Sequence, residues 1–182
     1  MYYNGLPSEL EVKFQSLVKG ENVDACQIRG YASLFGVPDQ SGDIVCPGAY
    51  TASLESKKPI HGSIKMLWQH DPTQPIGVWD VVREDKKGLF VEGRILKEIQ
   101  AGQEALALLE AGAVDGLSIG YRTLKSSKNR QGGRDLKQVE LWEVSLVTFP
   151  MLPEARVTAD EDGRLVSELA DVIAEARREL LG

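Results

Sequence analysis

The chain has 182 residues, of which 42% are hydrophobic and 26% charged; that is one domain of ordinary size with short extensions, and it excludes a disordered chain. The net charge of -6 supplies no basic face of the kind that displaces counterions from nucleic acid, so no nucleic-acid partner is expected. No apolar run approaches the roughly 20 residues that cross a bilayer, so no membrane partner is expected either.

Met1 to Leu10 has neither the basic nor the apolar region of a signal peptide, which points to a cytoplasm. There Cys26 and Cys46 would remain thiols. With His61 and His70 they form no C-x-x-C or H-x-x-x-H spacing, so no metal and no cofactor are expected.

Residues 1–20 form a polar, mixed lead-in. Residues 23–36 read as a strand with a turn near Gly30, and 36–43 (GVPDQSGD) as a loop. A short helix is expected after Pro47 and a strand over 64–69. Residues 76–83 and 89–96 read as strands joined by the turn EDKKG. Over 97–112 the period changes, with Ile99, Leu106, Leu109 and Ala113 at helical spacing and Gly112 as a stop. Strands follow at 116–124 and 137–149, joined by the polar loop 125–136, whose basic residues Lys125, Lys128, Arg130 and Arg134 read as solvated. Residues 161–181 carry Leu165, Leu169, Val172, Ile173, Ala176 and Leu180 on one helical face. Many strands without regular strand–helix alternation exclude a doubly wound sheet. A mostly antiparallel barrel or sandwich with helices outside fits best.

Gly116-Leu117-Ser118-Ile119-Gly120 matches the G-x-S-x-G nucleophile elbow, but a helix precedes the serine and a strand follows, and both histidines lie upstream. An α/β hydrolase needs the reverse on each count. A serine mechanism needs a base that accepts a hydroxyl proton near neutral pH, which is imidazole. His70 ends an apolar run before a proline-bounded turn, where site residues are commonly presented, whereas His61 sits in a flexible-looking loop. Glu140 and Glu143 lie on opposite faces of one strand; Glu143 shares its face with Leu141, Ser145 and Val147, and Glu140 with Trp142, Val144 and Leu146. Either carboxylate could orient the imidazole, and parity does not choose between them.

The segments MLWQHDPTQPIGVW, EAGAVDGLSIGYR and ELWEVSLVTFPMLPEA, with Gly42-Asp43-Ile44-Val45 and Pro47-Gly48-Ala49-Tyr50 upstream, together resemble the prohead maturation proteases of tailed bacteriophages. The resemblance covers about residues 22–158, and the family is distantly similar to the herpesvirus assemblins. It implies a small closed antiparallel β-barrel surrounded by helices, an α+β fold, occupying 21–158, with an N-terminal lead-in (1–20) and a C-terminal amphipathic helix (159–182). It implies Ser118 as nucleophile, His70 as base and then acid, and Glu143 as the group that orients His70. Glu140 is the alternative third member, and Asp71 a weaker one because it adjoins the base. The implied activity is a serine endopeptidase that cuts the scaffolding segment from the major capsid protein precursor, and then itself. It would act in the host bacterial cytoplasm, inside the assembling prohead. A homo-oligomer formed through the C-terminal helix is one expected use of that helix. Two rival readings are a non-catalytic scaffolding protein and a cysteine hydrolase pairing Cys46 with His70.

Overall fold

The computed structural model describes the backbone of Leu10–Val18 and, in full, residues 27–130 and 132–149. The expected helix over 161–181 lies outside the described residues. The order of elements is β1 (Leu10–Val18), β2 (Gln27–Leu34), β3 (Ile44–Val45), α1 (Thr51–Ser56), β4 (Lys65–Trp68), β5 (Asp71–Glu84), β6 (Gly88–Ile95), α2 (Gln100–Glu110), β7 (Gly116–Lys128) and β8 (Arg134–Val147). The protein is mainly β with few helices.

One curled sheet contains the eight strands in the order β3-β8-β4-β5-β6-β2-β1-β7, and β7 also pairs with β8. It is mostly antiparallel, as the strand pattern predicts, but departs from the wholly antiparallel barrel that the resemblance implies: β3 and β4 run parallel to β8. The pairing of β4 with β8 brings segments some 80 residues apart side by side, which no local pattern announces. Strand β1, inside the segment read as lead-in, pairs antiparallel with β7 from Leu10↔Arg122 to Ser16↔Gly116. Gly30 makes no turn; it sits within β2 opposite Val91 of β6.

The expected loop 125–136 is largely a hairpin. Pairs Lys125↔Gln138, Ser126↔Leu136, Ser127↔Asp135 and Lys128↔Arg134 extend the ladder. Backbone pairing does not require apolar side chains, so a polar stretch can continue a strand that an apolar core has started. The turn end of the hairpin is fixed by Asp43, a buried carboxylate that accepts from Arg134 N at 2.7 Å and from its Nη2 at 2.6 Å.

Helix α2 ends as the sequence reading expects. Gly112 takes a positive φ of 69°, with Gly112 N–H donating to Leu109 O at 3.1 Å and Ala113 N–H to Leu108 O at 2.9 Å, the Schellman pattern that a glycine permits. Its buried side is Gly102 and Ala105, with Leu106 and Leu109 half-buried and Ile99 exposed. The core lies against the concave side of the sheet around Trp79, Ile76, Leu89, Val91, Leu117, Ile119 and Val144. Trp79 Nε1 is satisfied there by Val144 O at 3.2 Å, as a buried indole requires. No described helix is long and apolar enough to cross a membrane.

Candidate active site

Strand pleat determines which groups meet. Ser118 of β7 stands opposite Ser145 of β8, and Gly120 opposite Glu143. Directly opposed residues share a face, and residues two apart on one strand do so as well. These four positions therefore form one polar square between two strands, while Leu117, Ile119, Val144 and Leu146 fill the opposite face and are buried. Ser118, Glu143 and Ser145 are also buried.

Gly120 explains how a carboxylate fits in this square. A Cβ at that position would lie 2.2 Å from Glu143 Oε1. The second glycine of G-L-S-I-G thus makes room for an acid on the neighbouring strand and has no elbow to form.

His70 arrives from another direction. Strand β4 runs parallel beside β8, with Leu67↔Ser145 and Trp68↔Leu146. It reverses into β5 through only two residues, since Trp68 pairs with Asp71. Both turn residues have positive φ, 51° for Gln69 and 63° for His70. That is the handedness a two-residue hairpin needs, but Asn and Gly normally supply it. The turn is tied to β8 by Gln69 N–H donating to Leu146 O at 2.9 Å and by Gln69 Nε2 donating to Thr148 Oγ1 at 2.6 Å.

The reversal swings the imidazole back over the square. Ser118 Oγ lies 2.5 Å from His70 Nε2, and Glu143 Oε1 lies 2.5 Å from His70 Nδ1. An ionised carboxylate only accepts, so Nδ1 carries a proton and Nε2 of the neutral ring presents its lone pair to the Ser118 hydroxyl. The second carboxylate oxygen, Oε2, accepts from Ser145 Oγ at 2.5 Å. A buried carboxylate is costly unless it is hydrogen-bonded, and here both oxygens are.

The remaining candidates lie elsewhere. Regular alternation puts Glu140 on the opposite face from Glu143, but the register shifts between Gly120↔Glu143 and Tyr121↔Leu141, so Trp142 is skipped and Glu140 stands opposite Arg122, on the same side of β7 as Gly120. There its Oε2 lies 2.9 Å from Arg122 Nη2. Asp71 turns its carboxylate to Thr73, whose hydroxyl and amide hold it below the usual carboxylate range. His61 is exposed and meets Asp80 at 3.2 Å. Cys46 follows Val45, which pairs with Leu136. That is seven residues along β8 from Glu143, or roughly 23 Å at the rise of a strand. Among the described residues no three His, Cys, Asp or Glu side chains come together as metal ligands. Sequence reasoning overlooked Ser145 and Gly120 as members of the site. The available signal was a hydroxyl two positions from Glu143 on the same face of an otherwise apolar run.

A buried serine, a histidine on a strained turn and a buried carboxylate joined by hydrogen bonds on a curled sheet define a serine-hydrolase type of site. The profile of the caudovirus prohead serine protease family matches residues 9–167, and the chain belongs to that family. It is 32% identical over 146 residues to the prohead protease of Enterobacteria phage HK97, covering 79% of this chain and 64% of that protein. It is 31% identical over 130 residues to the capsid polyprotein of Pseudomonas phage PAJU2, covering 67% of this chain and 18% of that one. The chain thus spans less than two thirds of either relative. The fold is similar to that of the bacteriophage T4 capsid assembly protease, gp21, with a TM-score of 0.63 and 14% identity over 78% of this chain and 98% of that one.

Proposed function

We propose that this chain is a serine endopeptidase of capsid maturation, with Ser118 as nucleophile, His70 as general base and then acid, and Glu143 as the group that orients and charge-balances the imidazole. The observation that carries the reading is the unbroken hydrogen-bonded chain Ser118 Oγ–His70 Nε2, His70 Nδ1–Glu143 Oε1.

As Ser118 Oγ attacks the scissile carbonyl carbon, its proton passes to Nε2. Collapse of the tetrahedral intermediate breaks the C–N bond, and the imidazolium gives that proton to the leaving amine. Water, deprotonated by the same nitrogen, then hydrolyses the acyl-enzyme. Glu143 stays ionised and keeps Nδ1 protonated throughout. Because Ser118 is fully buried and the His70 side chain retains 14% exposure, a substrate strand must part the covering groups on the histidine side.

The substrate reading is the scaffolding segment of the major capsid protein precursor, followed by self-cleavage, inside the assembling prohead in the host cytoplasm. A relative named as a capsid polyprotein supports capsid protein as substrate class. Strand pairings that return from β7 to β8 support a sheet closed as a barrel of the assemblin type. The protease domain is read as 21–158 extended to include β1, with the C-terminal segment 159–182 as an amphipathic helix available for self-association.

The test is co-expression with capsid precursor. Ser118→Ala is expected to abolish cleavage while leaving the melting temperature nearly unchanged, since one small hydroxyl is lost. Full processing by that variant would overturn the reading; retained processing that disappears in Cys46→Ala would favour the cysteine hydrolase, and no processing by the wild-type chain would favour a scaffolding role.

A further inference from the structure

We propose that Ser145 is a positioning residue of this site: a single hydroxyl that holds the carboxylate and the backbone of the base in register. The inference rests on the assignment of Ser118, His70 and Glu143 above. A hydroxyl has one proton to donate and two lone pairs to accept with. Ser145 donates its proton to Glu143 Oε2 at 2.5 Å and accepts from the His70 backbone N–H at 3.3 Å.

Both contacts answer a local problem. The terminal torsion of a glutamate is broad and nearly two-fold, so packing alone does not choose how the carboxylate is turned. Anchoring Oε2 on Ser145 leaves Oε1 aimed at Nδ1. At the second central position of the turn, His70 is held at a φ that L residues rarely adopt, and its N–H is received by the same hydroxyl. Ser145 is wholly buried, so water does not replace it on either partner.

The pairing frame makes this residue suited to the task. Ser145 is opposite Ser118 on β7 and opposite Leu67 on β4, so it sits where the strand of the nucleophile and the strand leading to the base both meet β8. It is not a second nucleophile: its proton is committed to Glu143, and its contact with His70 is to the backbone amide.

The experiment uses the full chain with a peptide substrate and proton NMR of the His70 Nδ1–H, in a His61→Asn background that leaves a single histidine. Ser145→Ala is expected to lower kcat about 10- to 100-fold, as small misplacements of catalytic groups do, with KM within about twofold. The downfield Nδ1–H resonance should shift or broaden. Ser145→Cys, close in size but a weak donor, should fall between. If Ser145→Ala fails to fold, Ser145→Cys decides by the same two readouts. Wild-type kcat with an unmoved resonance overturns the proposal. So does a lowered kcat with an unmoved resonance, which would mark a merely structural serine. A Ser118→Ala control that cleaves like the wild type would instead defeat the catalytic reading, and the resonance would still report on the hydrogen bond.

Discussion

Strand β5 begins and ends in a hairpin turn. At its far end the turn into β6 uses residues suited to reversal. Asp85 N–H donates to Gly88 O at 3.0 Å, and Asp85 Oδ1 accepts from the amides of Lys87 and Gly88 at 2.8 and 3.1 Å. Such self-contained aspartate bonding is what favours this residue in turns. At its near end the turn from β4 uses Gln69 and His70, two residues with side chains, at positive φ. The left-handed region costs roughly 1–2 kcal/mol per such residue. What offsets that cost lies on β8 and just past its end: Leu146 O and Thr148 for Gln69, Ser145 and Glu143 for His70. One turn is held mainly by its own residues, with outside help from Tyr31 Oη to Asp85 Oδ2 at 2.8 Å and Phe35 N–H to Lys87 O at 3.0 Å, whereas the other, made of residues that do not favour its φ, depends on contacts from a distant strand. Strain of this kind tends to gather at functional sites.

The largest effect expected from breaking this contrast is His70→Gly. Glycine suits the positive φ, so the turn itself relaxes and the protein stays folded by circular dichroism. Peptide cleavage should nonetheless fall on the order of 10⁴-fold, the scale of losing a triad member. Unfolding of the variant would show that the turn depends on the imidazole for stability.

Next in size is the pair of glutamates on β8. Glu143→Gln should reduce kcat strongly yet remain less damaging than Ser118→Ala by about tenfold or more, because the orienting acid contributes less than nucleophile or base. Glu140→Gln, which loses only a partly exposed ion pair with Arg122, should change kcat by less than about twofold, since such pairs contribute little. Reversal of that order would move the third member to Glu140.

A smaller effect is expected at Gln69. Gln69→Gly relieves the φ of that residue but cuts the tie to Thr148. These changes nearly cancel in stability, at about 1 kcal/mol each. kcat should drop several-fold because the base is less well placed. An unchanged kcat would mean that the remaining contacts of His70 suffice.

The smallest effect belongs to the other turn. Asp85→Ala should cost about 1 kcal/mol and leave cleavage per folded molecule unaltered. Burial pushes the Asp85 carboxyl up, but hydrogen bonds from Tyr31, Lys87 and Gly88 and the Arg83 charge outweigh it, and the net shift is downward. Its folded pKa is therefore below its unfolded value. The stabilisation is present above the ordinary carboxylate range, near about pH 4, and is lost as pH falls through the folded value. Chemical denaturation at pH 7 and pH 3 should show the variant's deficit shrinking at the lower pH.

Sequence alone was enough to nominate the candidate site residues and most local elements. Helix α2 was legible from its apolar spacing and Gly112, and strands β4 and β6 from short apolar runs bounded by turn residues. Ser118, His70 and Glu143 were named from motif order and family resemblance. Tertiary structure decided what the strand period leaves open. Alternation predicts Glu140 and Glu143 on opposite faces, but the irregularity that skips Trp142 puts them opposite Arg122 and Gly120, on one side of β7, and only the pairing of β8 with β4 brings Glu143 rather than Glu140 to the histidine. Strand β1 and the polar extension of the β7–β8 hairpin were missed, since ladder hydrogen bonds form between backbones and leave little mark on side-chain pattern. The positive φ of Gln69 and His70 was equally invisible. Residues unsuited to that turn occupy it because contacts from β8 and just past its end, more than 70 positions away, hold them there.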